Sequence, residues 1–586
     1  MNATIPTKKT EKLLIANRGE IAVRIIHACR DLGIQSVALY ANDDMDSLHV
    51  ELADEAWGLA GDRATETYLN IAAIIEVAKK SKATMLHPGY GFLSERADFA
   101  QAVIDAGLKW VGPSPASIEK LGDKIEARKI AASVGAPLVQ GTQEPLQSAD
   151  EAVAFAQQYG LPMAIKAAFG GGGRGLKVAW QLEEVAELFA SAVREAESAF
   201  GRGECFVEQY LDRPRHLEAQ VIADQHGNTV VLGTRDCSLQ RRNQKLIEEA
   251  PAPFLSEALQ AEILTSAKNI CQAAGYVGAG TVEYLLSQDG KLSFLEVNTR
   301  LQVEHPVTEQ TTGIDLVVEQ IRVAMGLELS IKDTPVALGH AIEFRINAED
   351  PSRGFIPGFG HISLFEAPSG LGVRLDTGVR TGALVSRHFD SLMAKLIITG
   401  PTREVAIARA QRALKQFKIE GVASVLDFHR AVLQEPDFVE DFKVHTRWIE
   451  NDFKADLSPA KRSIAQQHAP LVMSFIEIDG KLHRMGLPAD LFAHAAVQSD
   501  ASGQAKAQTA AHSASAQPQH LLAPMNGVIS AWKVATGDQV EKGQVVAIME
   551  AMKMEVQVLA QQSGQIQILS ELHSSCDADQ VIAEIQ

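Results

Sequence analysis

At 586 residues the chain exceeds what one hydrophobic core supports, so several domains are expected. Apolar residues make up 46% and charged residues 22%, as in ordinary globular proteins, and a formal net charge of −18 argues against nucleic-acid or anionic-membrane binding, which need a basic surface. No apolar run approaches the roughly 20 residues that cross a bilayer; the N-terminus, Met1-Asn2-Ala3-Thr4-Ile5-Pro6, has no leader pattern, and the scattered cysteines (Cys29, Cys205, Cys237, Cys271, Cys576) read as reduced thiols of a cytoplasmic protein.

Residues 1–122 read as alternating strands and helices. A strand at Lys12–Ala16 turns through Asn17-Arg18-Gly19-Glu20 into an amphipathic helix, Ile21–Leu32, and then a strand, Ser36–Tyr40. Such alternation predicts a parallel sheet covered by helices. The first turn lacks GxGxxG, so no dinucleotide site is expected there.

Residues 123–335 carry most of the chemistry. A strand ending near Lys166 leads into Gly170-Gly171-Gly172-Gly173-Arg174-Gly175, and a second strand follows. Glycine N–H groups can close around phosphate oxygens, and such a loop can fold over a nucleotide. A bland flexible hairpin would look similar, and no Gly-Lys-Ser/Thr follows to make a Walker loop. Glu283 and Glu296 interrupt apolar strand-like runs, where a carboxylate is costly unless paired or bound to a cation. With Asn298 they suit Mg²⁺ (or Mn²⁺) bridging phosphates; salt bridges to nearby arginines would satisfy them equally.

Residues 336–450 contain strand-like pieces at Gly339–Arg345 and Leu392–Ile398 and a helix at Arg403–Gln416. A short β connecting segment, 451–498, centres on the turn Asp479-Gly480. Residues 499–520 are rich in Ala, Ser and Gln without apolar periodicity and read as a flexible linker. Its r.m.s. span is roughly 25 Å, and it can stretch to about 65 Å.

Residues 521–586 contain an internal repeat. Ala523–Ile529 is echoed by Ala560–Ile566, and Gln544–Met549 by Gln580–Ile585, which predicts a pseudo-two-fold, flattened all-β barrel. Lys553 falls at the joint, between strands Val545–Glu550 and Glu555–Leu559, on an exposed hairpin that a modifying enzyme can reach. Methionines flank it in Ala551-Met552-Lys553-Met554, and exposed apolar groups at a turn point to a recognition surface.

That sequence resembles the attachment site of biotin carboxyl carrier domains. A lipoyl domain shares the fold, but its usual Asp-Lys-Ala is absent. Residues 12–450 resemble an ATP-grasp enzyme, specifically biotin carboxylase, through His87-Pro88-Gly89-Tyr90-Gly91-Phe92-Leu93-Ser94-Glu95, Gly122-Asp123-Lys124, Gln240-Arg241-Arg242, Glu248–Pro253, Asn298–Pro306 and Arg345–Asp350. The resemblance implies a multidomain α/β fold, an ATP-grasp biotin carboxylase followed by a biotinyl barrel. It implies that Lys124, Lys166 and the glycine loop, with Gly172 and Gly173, contact ATP phosphates. Glu208, Leu211, His216 and Gln240 then surround adenine and ribose.

The implied half-reaction joins bicarbonate to biotin at the expense of ATP. Lys245 and Arg300 would hold bicarbonate, with Gln302 and the Val303 backbone completing the cradle, and Glu304 would take its proton. Arg345 would stabilise the biotin enolate after carboxyphosphate decomposes. Tyr90 either lines the biotin pocket or packs in the core. Asn243 stands where the family usually has His, and Gln209 replaces a common Lys or Arg; both departures weaken nucleotide contacts.

No stretch is long enough for a carboxyltransferase domain, so the resemblance is to α subunits of acyl-CoA carboxylases, of the acetyl/propionyl-CoA type. It implies a separate carboxyltransferase (β) subunit, a biotin protein ligase and a homo-oligomer formed through the carboxylase part. Other acceptors (methylcrotonyl-CoA, another acyl-CoA, pyruvate) and a biotinylated docking subunit with a weak ATP site are the alternatives.

Overall fold

The computed structural model describes residues 11–142, 144–167, 176–200, 202–457, 471–478, 481–488, 520–524, 527–551, 554–572, 574–576 and 580–585. Two compact units result: Met1–Ile419 with Ala423–Ala460, and Lys461–Gln586 with Glu420–Val422.

In the first unit, strands β1 (Lys12–Ile15), β2 (Gln35–Tyr40), β3 (Glu55–Gly58), β4 (Met85–His87) and β5 (Lys109–Trp110) form a parallel sheet in the order β3-β2-β1-β4-β5. Successive side chains of β1 point to opposite faces. Leu13 and Ile15 pack with Ile21, Ile25 and Ile26 of helix Gly19–Leu32; Leu14 joins Leu39, Ile74 and Phe99 on the other face. The doubly wound layering is therefore written in a four-residue strand. The turn after β1 is used internally: Asn17 Nδ2 donates to the carbonyls of Pro88 and Tyr90 (2.7 and 2.8 Å), and Arg18 pairs with Asp44.

A small antiparallel sheet follows: β6 (Met163–Ala167) lies between β7 (Leu176–Ala179) and β8 (Cys205–Gln209). The glycine loop Gly170–Gly175 lies outside the described residues.

The centre of this unit is an eight-stranded antiparallel sheet. Its strands β9 (Arg215–Ala223), β10 (Thr229–Arg241), β11 (Gln244–Ala250), β12 (Gly278–Leu286), β13 (Leu292–Asn298) and β14 (His340–Asn347) run in the order β13-β12-β9-β10-β11-β14, followed by Leu392–Gly400 and Val373–Thr377. This sheet runs without a break across the 335/336 division read from the sequence. Helix Arg403–Gln416 forms where its periodicity placed it. In β9, Leu217, Ala219 and Val221 pack against Ile263, Ala267 and Ile270 of helix Glu257–Ala273. His216, Glu218 and Gln220 alternate with them and are buried too. A strand with one apolar and one polar buried face requires partners for every polar group, and those partners make the candidate site.

In the second unit, Leu471–Ile478 and Lys481–Pro488 pair antiparallel up to Ile478↔Lys481. The C-terminal barrel has two four-stranded sheets. One holds His520–Leu522, Val581–Ile585, Gly564–Ile568 and Gln539–Val540; the other holds Met554–Leu559, Val545–Ala551, Gly527–Trp532 and Ser575–Cys576. Each strand of one sheet has its repeat partner at the same place in the other, as the internal repeat requires. Ile529, Val546, Met549, Ile566 and Ile582 fill the core between them. The pairing Ala551↔Met554 closes one strand pair; Lys553, on which the sequence places the biotin, lies outside the described residues, as does the linker apart from His520. No described helix is long and apolar enough to cross a membrane. All five cysteines are buried and unpaired.

Candidate active site

The polar face of the large sheet collects charged groups that strand register places side by side. Glu218 on β9 sits opposite Glu283 on β12, which sits opposite Glu296 on β13. Lys245 on β11 is paired with Gln240 on β10. Its ammonium bonds Glu218, lies 3.1 Å from Glu283 and donates to Glu304 at 2.9 Å. Glu304 stands at the head of helix His305–Thr312 and also accepts from Arg345 Nη2 at 2.9 Å. Burial pushes the Glu304 carboxyl up, but Lys245, Arg345 and Arg235 pull it below the ordinary range. It is therefore ionised at neutral pH, with two cations in direct contact.

Arg300 forms the rim. Glu95 anchors its Nε at 2.9 Å, while Nη1 donates to Gln302 Oε1 (2.9 Å) and Nη2 to Asn298 Oδ1 (3.1 Å). The Val303 carbonyl accepts from fully buried Lys395 at 2.9 Å. Lys245, Arg300, Gln302, Val303, Glu304 and Arg345 are thus brought to one place. Such a cluster can hold a small anion between cations and amide donors and offer it a base.

Glu283, Glu296 and Asn298 also meet. Asn298 Nδ2 and Gln302 Nε2 both donate to Glu283 Oε1 (2.7 and 3.1 Å), and His216 Nε2 lies 3.0 Å from Glu283 Oε2. Burial and the neighbouring Glu283 push Glu296 up. Two opposed carboxylates, Glu283 buried and Glu296 half-buried, with an amide oxygen beside them fit a hard divalent cation, which would relieve their repulsion. Among the described residues no arginine pairs with Glu283 or Glu296; Lys245 and His216 hold Glu283 instead.

A second cationic group surrounds Glu208. It is bonded by Lys166, and it accepts from Arg128 at 2.9 Å. Burial raises its carboxyl, but Lys166, Arg128 and Lys124 hold it below the ordinary range. Lys124 is the first residue of helix Lys124–Ser133, whose end is capped by Asp123. Three cations on one carboxylate leave net positive charge, which suits phosphate oxygens. Gln240 Nε2 lies 3.3 Å from His216 Nδ1; Leu211 follows β8, half-buried. Gly172 and Gly173 lie outside the described residues.

Several contributors were not read from the sequence. Arg235, fully buried, donates to Glu218, Gln220, Thr281 and Thr308. Glu218, Arg128 and Lys395 also belong here; Glu95 and Glu248 were read only as motif residues, without a role. The available signal was period two: polar residues at 216, 218 and 220 alternating with apolar ones. Tyr90 bonds Glu20 and lies beside Lys395, so it joins the support under Val303.

Comparison with known proteins gives four family matches in order: "Biotin carboxylase, N-terminal domain" over residues 9–118, "Carbamoyl-phosphate synthase L chain, ATP binding domain" over 123–332, "Biotin carboxylase C-terminal domain" over 343–451 and "Biotin-requiring enzyme" over 519–585. The chain is 54% identical over 597 residues, covering 100% of both chains, to the "Biotin-dependent acyl-coenzyme A carboxylase alpha3 subunit" of Mycobacterium leprae. Among solved structures it is similar to the biotin carboxylase–βγ-ATP complex of Campylobacter jejuni (TM-score 0.72, 38% identity, 75% of this chain and 99% of that one). It is equally similar to the biotin carboxylase domain dimer of Hydrogenobacter thermophilus 2-oxoglutarate carboxylase with MgADP, ADP and bicarbonate (TM-score 0.72, 40% identity, 76% and 100%).

Proposed function

Because the chain belongs to the biotin-dependent acyl-coenzyme A carboxylase α subunits, we propose that the polar face of its large sheet carboxylates a biotin carried on its own Lys553. The protein is a ligase component that uses ATP, Mg²⁺ and covalent biotin. The observation that carries the site assignment is the junction Lys245–Glu304–Arg345, an ionised, fully buried carboxylate held by two cations.

ATP lies with its phosphates toward Lys124, Lys166 and the glycine loop including Gly172 and Gly173. Its adenine and ribose lie toward Glu208, Leu211, His216 and Gln240. Glu283, Glu296 and Asn298 would hold Mg²⁺, which would supply charge neutralisation to the phosphates. Lys245 and Arg300 hold bicarbonate, with Gln302 and the Val303 backbone. Once Lys245 is shared with this second anion, it stabilises the Glu304 carboxylate less, and the proton affinity of Glu304 rises at the moment it is needed as a base. The deprotonated anion then attacks the γ-phosphate and displaces ADP; the carboxyphosphate formed breaks into CO₂ and phosphate, and that phosphate takes the proton of the ureido nitrogen that receives CO₂. Bound biotin supplies the accepting ureido nitrogen, and Arg345 stabilises the negative charge that develops there.

The carboxyl group passes to a separate carboxyltransferase subunit acting on an acyl-CoA, acetyl-CoA or propionyl-CoA. A biotin protein ligase loads Lys553 in the cytoplasm, and the carboxylase unit forms a homo-oligomer. The full set of cations and carboxylates supports an active enzyme over a docking subunit.

ATP hydrolysis dependent on bicarbonate, free biotin and Mg²⁺ tests the reading. Glu304→Gln lowers its kcat by about 10²–10⁴-fold, the usual worth of a positioned base. Hydrolysis that ignores bicarbonate, or a fully active Glu304→Gln, overturns it.

A further inference from the structure

Glu248 on β11 and Glu343 on β14 stand directly opposite each other, and both are fully buried. Glu248 Oε1 accepts from Arg345 Nε at 2.6 Å. Glu248 Oε2 and both oxygens of Glu343 have no hydrogen-bond partner among the described residues. A carboxylate stripped of water and of donors cannot stay ionised cheaply.

The charged groups facing this pair are few. Arg345 lies on β14 itself, Lys395 on strand Leu392–Gly400, Lys245 on β11 and Glu304 at the head of helix His305–Thr312. Lys245 is engaged with Glu218, Glu283 and Glu304. Lys395 is engaged with the Val303 carbonyl and Glu20. The adjacent Glu249 is bound by Arg403 and His340. Arg345 is left as the one guanidinium bonding both Glu248 and Glu304, with Glu343 two residues before it on the same face.

We propose that Glu343 works as a neutral carboxylic acid that shares a proton with Glu248, a positioning role that limits the carboxylate charge facing Arg345 to that of Glu248 and Glu304. Directly opposite residues in an antiparallel pair have Cβ atoms about 5 Å apart, within reach of a carboxylic acid–carboxylate hydrogen bond. Burial pushes Glu248 up to about 7, with Glu304 adding to the rise and Arg345 opposing it. Burial pushes Glu343 well above the ordinary range, against Lys395 and with the help of Glu248. Were all three carboxylates ionised, three negative charges would face Arg345 instead of two.

The inference rests on Arg345 serving the anion site, so the test separates the two. Infrared spectra of the full-length wild type, with carboxyl carbons isotopically labelled in glutamate, are followed across neutral to mildly alkaline pH. A protonated-carboxyl C=O band persists above neutrality in the wild type, is lost in Glu343→Gln and shifts in Glu248→Gln. The bicarbonate KM of Glu343→Gln stays within about twofold of wild type, because a neutral amide replaces a neutral acid; removal of a true charge so close would change it about tenfold. Absence of the band in the wild type, or a bicarbonate KM that falls about fivefold or more in Glu343→Gln, overturns the proposal. An Arg345→Gln variant with undiminished biotin-dependent ATP hydrolysis instead overturns the role of Arg345.

Discussion

Burial pushes the imidazole of His49 from its ordinary 6.5 down to about 4, that of His429 to about 4 and that of His87 to about 3. Each ring is bonded as a neutral group: His49 Nε2 to the Leu39 carbonyl (3.1 Å), His429 Nε2 to the Arg345 carbonyl (2.7 Å), and His87 Nδ1 accepting from the Gly89 amide (2.9 Å). In the unfolded chain these histidines take up protons below pH 6.5; in the folded chain they do not until pH reaches 3–4. Their stabilisation is thus complete above the unfolded pKa and lost as pH falls through the folded one, roughly 3 kcal/mol for a group shifted to about 4. Glu20 has the opposite sign. Burial pushes it up to about 7, so its contribution is complete below 4.5 and lost as pH rises through about 7. The Tm of the first unit falls as pH drops from about 6.5 to 4.5, and His49→Gln flattens that fall. A Tm that stays level over this interval contradicts the assignment. These residues show what a single sequence withholds: His87 was legible as part of a motif, but its neutrality comes from neighbours that only folding supplies.

Strands β10 and β11 are joined by two residues, with Arg241 paired to Gln244. Arg242 has φ 48° and Asn243 has φ 64°. Left-handed backbone at both positions is the type I′ turn that best fits the twist of a hairpin, and asparagine tolerates it better than most side chains. Asn243, read from the sequence as a departure near the nucleotide, therefore has a backbone reason to be there. The turn sets the register that pairs Gln240 with Lys245. Asn243→Gly stays within a few tenths of a kcal/mol of wild type, while Asn243→Val loses about 1–2 kcal/mol and raises the KM for ATP or bicarbonate through that register. Equal stability of the two variants by denaturant unfolding contradicts this. At this scale the helix Arg403–Gln416 and the repeated strands of the barrel were legible, because 3.6-residue and two-residue periods are local. The pairing of β11 with β14 was not. Their partnership joins residues 97 apart in Arg345–Glu248, and no local pattern announces which strand a strand will choose.

Two compact units in one chain divide the work of the whole molecule. The first gathers the charges proposed to activate bicarbonate; the second presents a barrel whose two sheets match strand for strand and whose two sequence halves meet at Lys553. The barrel has its own core of Ile529, Val546, Met549, Ile566 and Ile582, as a unit that folds by itself requires. Intact mass after co-expression with a biotin ligase shows one biotin on the wild type and none on Lys553→Ala. Lys553→Ala retains ATP hydrolysis driven by free biotin, since none of the charged groups at the carboxylase site lies in the second unit. It loses all carboxyl transfer to an acyl-CoA when the carboxyltransferase subunit is added. Shortening 499–520 by about half cuts its maximal reach from about 65 Å to half that, and it slows carboxylation of the tethered biotin more than that of free biotin. Equal slowing of both would mean that the deletion damages the carboxylase unit itself. A biotin adduct that survives Lys553→Ala would place the attachment elsewhere. The two variants together thus separate loading of the carrier from its travel, and both from the chemistry at Glu304.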